Sequence, residues 1–413
     1  MYQFKKSLLA LSVAAAAGAA TTASAQDGVT SSIAEMVTNG TAKIDVRYRF
    51  EYVDQDGIDE EAEANTIRSR LTFASAAYKG FSFLAEFDDV RHIGDDDFND
   101  TNNGNTDYPV VADPDGTDVN QAWIKYTGDS ASGNFGRQRI LHGSQRFVGG
   151  VGWRQNEQTY DGFRAEWKGG PGLSADVSYV YNVNRIFGPD NGPVQPAELE
   201  GDNYFGRFGW QINDNHSVTA FAYLLDIDEE EDYPAGRSVG NSSDTYGAEY
   251  AGKFGPVSAK AGYATQSDAG DSELDYDASW YMAELGATFF GVKGIVGYEV
   301  LEGDNGVGFK TPYATLHKFQ GWADKFLVTP GDGIEDAYVG LTGKLGPVKL
   351  GAFYHDFQAN DSSTDFGTEL DLVATWPVNK NLSLQLKYAA FDTDDEDRYT
   401  DTDKAWFTAQ VKF

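Results

Sequence analysis

Ile44-Asp45-Val46-Arg47-Tyr48-Arg49-Phe50-Glu51-Tyr52 alternates apolar with polar residues along its whole length. A strand has a side-chain period of two, so Val46, Tyr48, Phe50 and Tyr52 share one face and Arg47, Arg49 and Glu51 the other. In a soluble sandwich the aromatic face would be the core. In a transmembrane barrel it faces lipid, and the charged face lines the lumen.

The same pattern recurs down the chain. Further strands are expected at about 66–78, 81–92, 118–128, 132–139, 158–168, 172–183, 201–212 and 215–227. Others fall at about 243–253, 256–266, 279–290, 292–302, 334–345, 347–358, 366–376, 381–391 and 403–413. That makes roughly eighteen strands. Their connections alternate in length. Lys79-Gly80, Gly169-Gly170-Pro171-Gly172, Asn213-Asp214-Asn215, Phe254-Gly255-Pro256 and Leu345-Gly346-Pro347 are tight turns. Long polar stretches such as 93–117, 140–157, 184–200 and 303–333 separate them. Short turns at one end and long loops at the other belong to an antiparallel up-and-down outer-membrane β-barrel, with short periplasmic turns and long extracellular loops. A soluble all-β array has no reason to segregate them.

The chain's start fits export. Lys5 and Lys6 precede an apolar stretch from Leu8 to Ala20 and a small-residue site, Ala23-Ser24-Ala25. Residues 1–25 read as a cleaved signal peptide. Residues 26–43 read as a short periplasmic segment and 44–413 as one barrel domain. The chain's last strand ends on Phe413, on the same face as Ala405, Phe407, Ala409 and Val411. This ending resembles the insertion signal of outer-membrane proteins, which implies the barrel-assembly machinery as a partner. Outer-membrane lipid and lipopolysaccharide are the expected surroundings, in a Gram-negative bacterium.

Composition agrees. No later stretch approaches the ~20 apolar residues of a membrane helix, and the mean hydropathy is -0.46, as expected when only alternate residues meet lipid. The 23 Tyr and 26 Phe suit aromatic girdles. The absence of cysteine suits passage through an oxidising periplasm and removes thiolate chemistry. A formal charge of -32 argues against nucleic acid.

The acid sits in runs, such as Asp95-Asp96-Asp97 and Asp392 through Asp403, within the long loops. These offer oxygen ligands for calcium, but none has the spacing of an EF-hand loop. Solvated loops are the plainer reading, and no cofactor or metal is expected. The five histidines form neither a ligand pair nor a triad, so no enzyme is expected.

The basic residues lie elsewhere. Period-two counting puts Arg47, Arg49, Arg68, Arg70, Lys125, Arg137, Arg139, Arg164 and Arg207 on the inward face, beside Glu51, Glu86, Asp88 and Glu166. Arginines on the lipid face would cost about 2–4 kcal/mol each at the midplane. Inward, guanidinium groups offer paired donors to carboxylates. The competing reading is that they pair with lumen acids and brace the barrel.

Two loop segments stand out from the acidic background. One runs from Gly136-Arg137-Gln138 through Gln145-Arg146-Phe147 to Trp153-Arg154-Gln155. The other is His317-Lys318-Phe319-Gln320-Gly321-Trp322-Ala323-Asp324. Both are expected to fold back as a constriction or plug, with Trp153, Gln155, His317, Lys318 and Trp322 prominent. These segments resemble the alginate-export family of outer-membrane barrels. The resemblance implies a monomeric barrel of about eighteen strands with an electropositive lumen, whose type member passes the polyuronate alginate outward. It also implies that Arg137, Arg139, Arg146, Arg154 and Arg164 line the pore and contact carboxylates. The expected function is an outer-membrane porin or passive channel for anionic solutes, among them carboxylated sugars or alginate-like polyuronates. A non-selective general porin and a non-conducting structural or adhesive barrel stay open as alternatives.

Overall fold

The computed structural model describes residues 32–190, 192, 195–230 and 236–413. The expected signal peptide and the first residues after it lie outside this set. A short helix, α1 (Ile33–Thr38), is capped by the Ser32 side chain, which accepts from the Glu35 amide. The barrel then begins with β1 (Thr41–Gln55), β2 (Ala62–Ala74), β3 (Phe81–His92), β4 (Gly116–Thr127), β5 (Ala131–Gln138) and β6 (Thr159–Gly169). It continues with β7 (Leu173–Asn184), β8 (Glu198–Asn213), β9 (His216–Leu225), β10 (Ser243–Phe254), β11 (Val257–Asp268), β12 (Asp277–Phe289) and β13 (Val292–Leu301). A two-residue hairpin, β14 (Gly303–Asp304) and β15 (Val307–Gly308), stands apart from the wall. The last five strands are β16 (Ile334–Leu345), β17 (Val348–Gln358), β18 (Asp365–Pro377), β19 (Leu382–Thr393) and β20 (Thr402–Lys412).

One 18-stranded antiparallel sheet results. It closes where β1 pairs with β20, from Asp45 opposite Lys412 to Gln55 opposite Thr402. Closure leaves no unpaired edge, the condition for a sheet to sit in hydrocarbon. No helix among the described residues is long and apolar enough to cross a membrane, so the strands do the crossing. The barrel starts at Thr41 rather than at 44, because Thr41 to Lys43 already pair with Ala74 to Thr72.

The strand faces fall as the alternation requires. In β1, Arg47, Arg49, Glu51 and Val53 are buried while the residues between them are not. Ile124, Phe163, Val177, Phe208, Leu285, Val296, Leu341 and Leu386 are exposed on the outside. The usual inside and outside are thus exchanged: apolar side chains meet lipid and charged ones meet the lumen.

Tight turns gather at the end that carries both β1's start and β20's finish. Lys79 and Gly80 both have positive φ, 49° and 85°, as do Phe290 and Gly291, at 50° and 81°. That is the type I′ geometry whose twist matches the flanking strands.

Candidate functional site

Two loops from the opposite end turn inward and pack against the lumen wall. One joins β5 to β6 (139–158); the other joins β15 to β16 (309–333). They are bonded to each other along their backbones. The Gly149 amide donates to the Tyr313 carbonyl at 2.8 Å, and the Thr315 amide to the Gln145 carbonyl at 3.0 Å. The Tyr160 hydroxyl donates to the Gly149 carbonyl at 2.6 Å. Phe147, Val148, Phe205, Phe309 and Tyr313 pack together around this seam as a small apolar core inside the barrel. The two segments expected to form a plug therefore do meet, as one unit.

The loops are also tied to the wall. Arg47 donates Nε to Gln155 Oε1 at 2.9 Å and Nη1 to the Gly152 carbonyl at 3.0 Å. Arg154 reaches Glu51 at 3.0 Å and Asp324 at 3.5 Å. Asp113, from the loop joining β3 to β4, accepts from the Gln155 amide at 2.7 Å. The Ala323 amide donates to Glu369 Oε1 at 2.7 Å, and the Trp322 amide meets the same oxygen.

All the arginines expected inside lie inside, and most already have a carboxylate. Arg70 meets Asp88 at 2.5 Å and Glu157 at 2.9 Å. Arg137 forks onto Asp161 at 2.9 and 3.0 Å. Arg139 donates Nε to Glu157 at 2.7 Å, Arg164 holds Asp176 at 2.6 Å and Arg207 holds Glu249 at 2.7 Å. Arg68 stands 3.4 Å from Asp45, Arg146 2.9 Å from Glu299, and Lys125 3.4 Å from Glu166. Arg49 is 4.0 Å from Asp113 and lies over the Trp153 ring.

Exposure divides this set. The side chains of Arg137, Arg139 and Arg164 keep 20%, 25% and 17% of their surface open. Arg47, Arg49, Arg68, Arg146 and Arg154 are buried. The first group looks into the lumen. The second holds the loops and the wall together. Glu157 sits at the centre of the brace. Burial favours its neutral form, but the hydrogen bond and charge of Arg139, with Arg70 behind, hold it down at about 2.

Trp153 is the keystone of the inward loops. His317 stacks on it at 4.2 Å, and Lys387 of β19 points an ammonium at its ring from 4.0 Å and at Trp322 from 3.7 Å. His317 Nδ1 is 2.7 Å from Asp324 and its Nε2 is 2.7 Å from Lys387 Nζ. Burial pushes His317 down to about 3, against the pull of Asp324. The imidazole is therefore neutral at pH 7. Nδ1–H donates to Asp324, and Nε2 accepts from Lys387.

Between these loops and the short-turn end lies a cavity of about 680 Å³. Arg207, Lys260, Glu284, Trp280, Lys318 and Tyr338 are among its walls. Counting faces did not single out Lys260, Lys387, Asp113, Glu157, Glu299 or Glu369. Lys260 and Glu369 were within reach of strand alternation; Asp113 and Glu157 sit in loops, where period-two counting does not apply.

A closed 18-strand barrel with a polar, loop-narrowed lumen defines the class: a porin-like outer-membrane barrel of Gram-negative bacteria. The chain matches the alginate export family over residues 40–293, more than half its length, and belongs to that family. Its fold is similar to that of OccK3 (OpdO) from Pseudomonas aeruginosa, with a TM-score of 0.71 at 11% identity over 92% of this chain and 97% of that one. OccAB4 from Acinetobacter baumannii is similar at a TM-score of 0.70 and 12% identity, over 91% and 98%. The outer membrane protein opdK of Pseudomonas aeruginosa follows at 0.68 and 14%, over 90% and 98%. No curated protein matches the chain by sequence.

Proposed function

We propose that the protein is a passive channel for small anionic solutes, carboxylated sugars foremost. The observation that carries this reading is the row of partly open guanidinium groups on one side of the wall, Arg137 on β5, Arg139 just past its end and Arg164 on β6. Each already meets two carboxylates, Arg137 with Asp118 and Asp161, Arg139 with Glu86 and Glu157, and Arg164 with Glu166 and Asp176. A guanidinium nevertheless has five N–H donors, and the open surface of each leaves room for a solute carboxylate to share them. Diffusion runs downhill, so neither nucleotide nor cofactor is needed.

Reversal potentials across a planar bilayer under a salt gradient test this. The wild type should favour anions, and Arg137→Gln with Arg139→Gln should reduce that preference. A cation-selective wild type, or no change in the double variant, sinks the reading. One observation favours a second reading, a general porin: nearly every lumen arginine already has a carboxylate. That reading expects no preference by charge.

A further inference from the structure

The lower cavity is not a uniform continuation of the arginine wall. Its cations are Arg146, Arg207, Lys260 and Lys318. Arg146 and Arg207 are committed to Glu299 and Glu249. Lys260 reaches Glu284 at 2.9 Å, yet its side chain stays 53% exposed. Lys318 is different again. It is exposed at the tip of the inward loop, and its ammonium donates to the Ser144 carbonyl at 2.8 Å. Among the described residues of this cavity it is the cation with no carboxylate within ion-pair distance.

Burial lowers the Lys318 ammonium, and the charge of Lys260 lowers it further. Lys318 thus feels the charge of Lys260 across the space they both line. An anion held there would compensate Lys318 and lie within the cavity that the half-exposed Lys260 also faces. The cavity's other surface is aromatic: Phe319 follows Lys318 in the chain, and Trp322 stands at 5.6 Å from Phe353. A sugar ring needs apolar faces of this kind, with a polar group fixing its orientation.

We infer that this cavity is a binding station for a carboxylated sugar, with Lys318 as the cation that contacts the carboxylate and Lys260 as its second contact. The inference rests on the anion-channel reading and sharpens it. The exposed arginines of the upper wall would guide solute, while the two lysines below would hold it. A solute bound there would occupy the path just past the narrowest loops, so a bound sugar acid would interrupt the ionic current.

The test is current block in planar bilayers. Glucuronate is added on the short-turn side of the full-length mature protein, with glucose as the uncharged control. Heat-dependent gel mobility confirms that each variant has folded. Glucuronate should block the wild type and glucose should not. Lys318→Gln should weaken the block about tenfold, the usual worth of one charge-assisted hydrogen bond. Lys260→Gln should weaken it less, and Lys380→Gln, in the turn before β19, should leave it unchanged. Equal block by glucose, or undiminished block in folded Lys318→Gln, overturns the station. If that happens while the wild type still prefers anions, the station fails and the channel reading survives. A cation-selective wild type brings down both.

Discussion

The two halves of the barrel wall use different cations. On β1 to β8 the lumen cations are mostly arginines: Arg47, Arg49, Arg68, Arg70, Arg137, Arg164 and Arg207, with Arg139 just past the end of β5. On β9 to β20 no described strand carries an arginine, and the inward cations are lysines such as Lys260, Lys387 and Lys404. The difference is geometric. A guanidinium fork fits a carboxylate on the next strand through two parallel bonds. Arg70 opposite Asp88 and Arg137 opposite Asp161 do this at directly paired positions of the sheet. The arginine half is therefore stapled strand to strand and gives the loop at 139–158 a rigid bed. A lysine is a point charge on a flexible stem. It leaves surface open, and the cavity lies largely against the lysine half.

The strongest way to break this contrast is to remove an acid from the stapled half. Glu157→Ala strips Arg70 and Arg139 of a shared partner. Arg70 keeps Asp88 and Arg139 keeps Glu86, so the loss of one shared charged partner should cost about 3 kcal/mol, read as a lower unfolding midpoint in urea. Glu157→Gln, which keeps the shape and a hydrogen-bond acceptor, should cost less. A loss under about 1 kcal/mol in the alanine variant would mean that the staple carries little stability.

The seam between the halves should answer to pH. His317 titrates near 6.5 when free, and docked it is held down to about 3 by burial. The undocked loop therefore takes up the proton first. Docking is at full strength above 6.5, weakens as pH falls through the window from 6.5 to about 3, and changes little below it on this account. By about pH 4.5 the loss should be on the order of 2–3 kcal/mol. Protonation would also place Nε2–H against the Lys387 ammonium, 2.7 Å away. Single-channel recordings should show more frequent transitions to larger conductance in acid, and His317→Gln should remove that dependence. Identical gating in the variant would assign it to other groups.

How much of this could be read beforehand follows the range of each interaction. Strand faces are local: the alternation through Arg47, Arg49 and Glu51 places them inward without knowledge of any neighbour. Loop lengths are local too, and the expected strands match all eighteen of the sheet. Which acid meets which arginine is not local. Arg70 faces Asp88 through sheet register, and both Arg70 and Arg139 meet Glu157 through a loop that bends back into the barrel. Glu369 offers a milder case. It alternates with exposed Leu370 and so reads as inward, but nothing near it in the chain announces that the Trp322 and Ala323 amides will cap it.

The smallest expected effect is the sharpest test of what the arginine half contributes to selectivity. Arg164 and Asp176 pair at 2.6 Å and both remain partly open to the lumen. A partly open pair of this kind should contribute about 1 kcal/mol to stability, so either partner can be neutralised in a folded barrel. The signs should then be opposite. Arg164→Gln leaves Asp176 uncompensated and should move the reversal potential toward cation preference. Asp176→Asn leaves Arg164 with Glu166 alone, 3.3 Å away, and should move it toward anion preference. The double variant should return near the wild type, because the field of a tight pair is a dipole that fades faster with distance than that of a net charge. If both single variants shift the potential the same way, the loops rather than the wall charges set selectivity, and the contrast between the halves concerns rigidity alone.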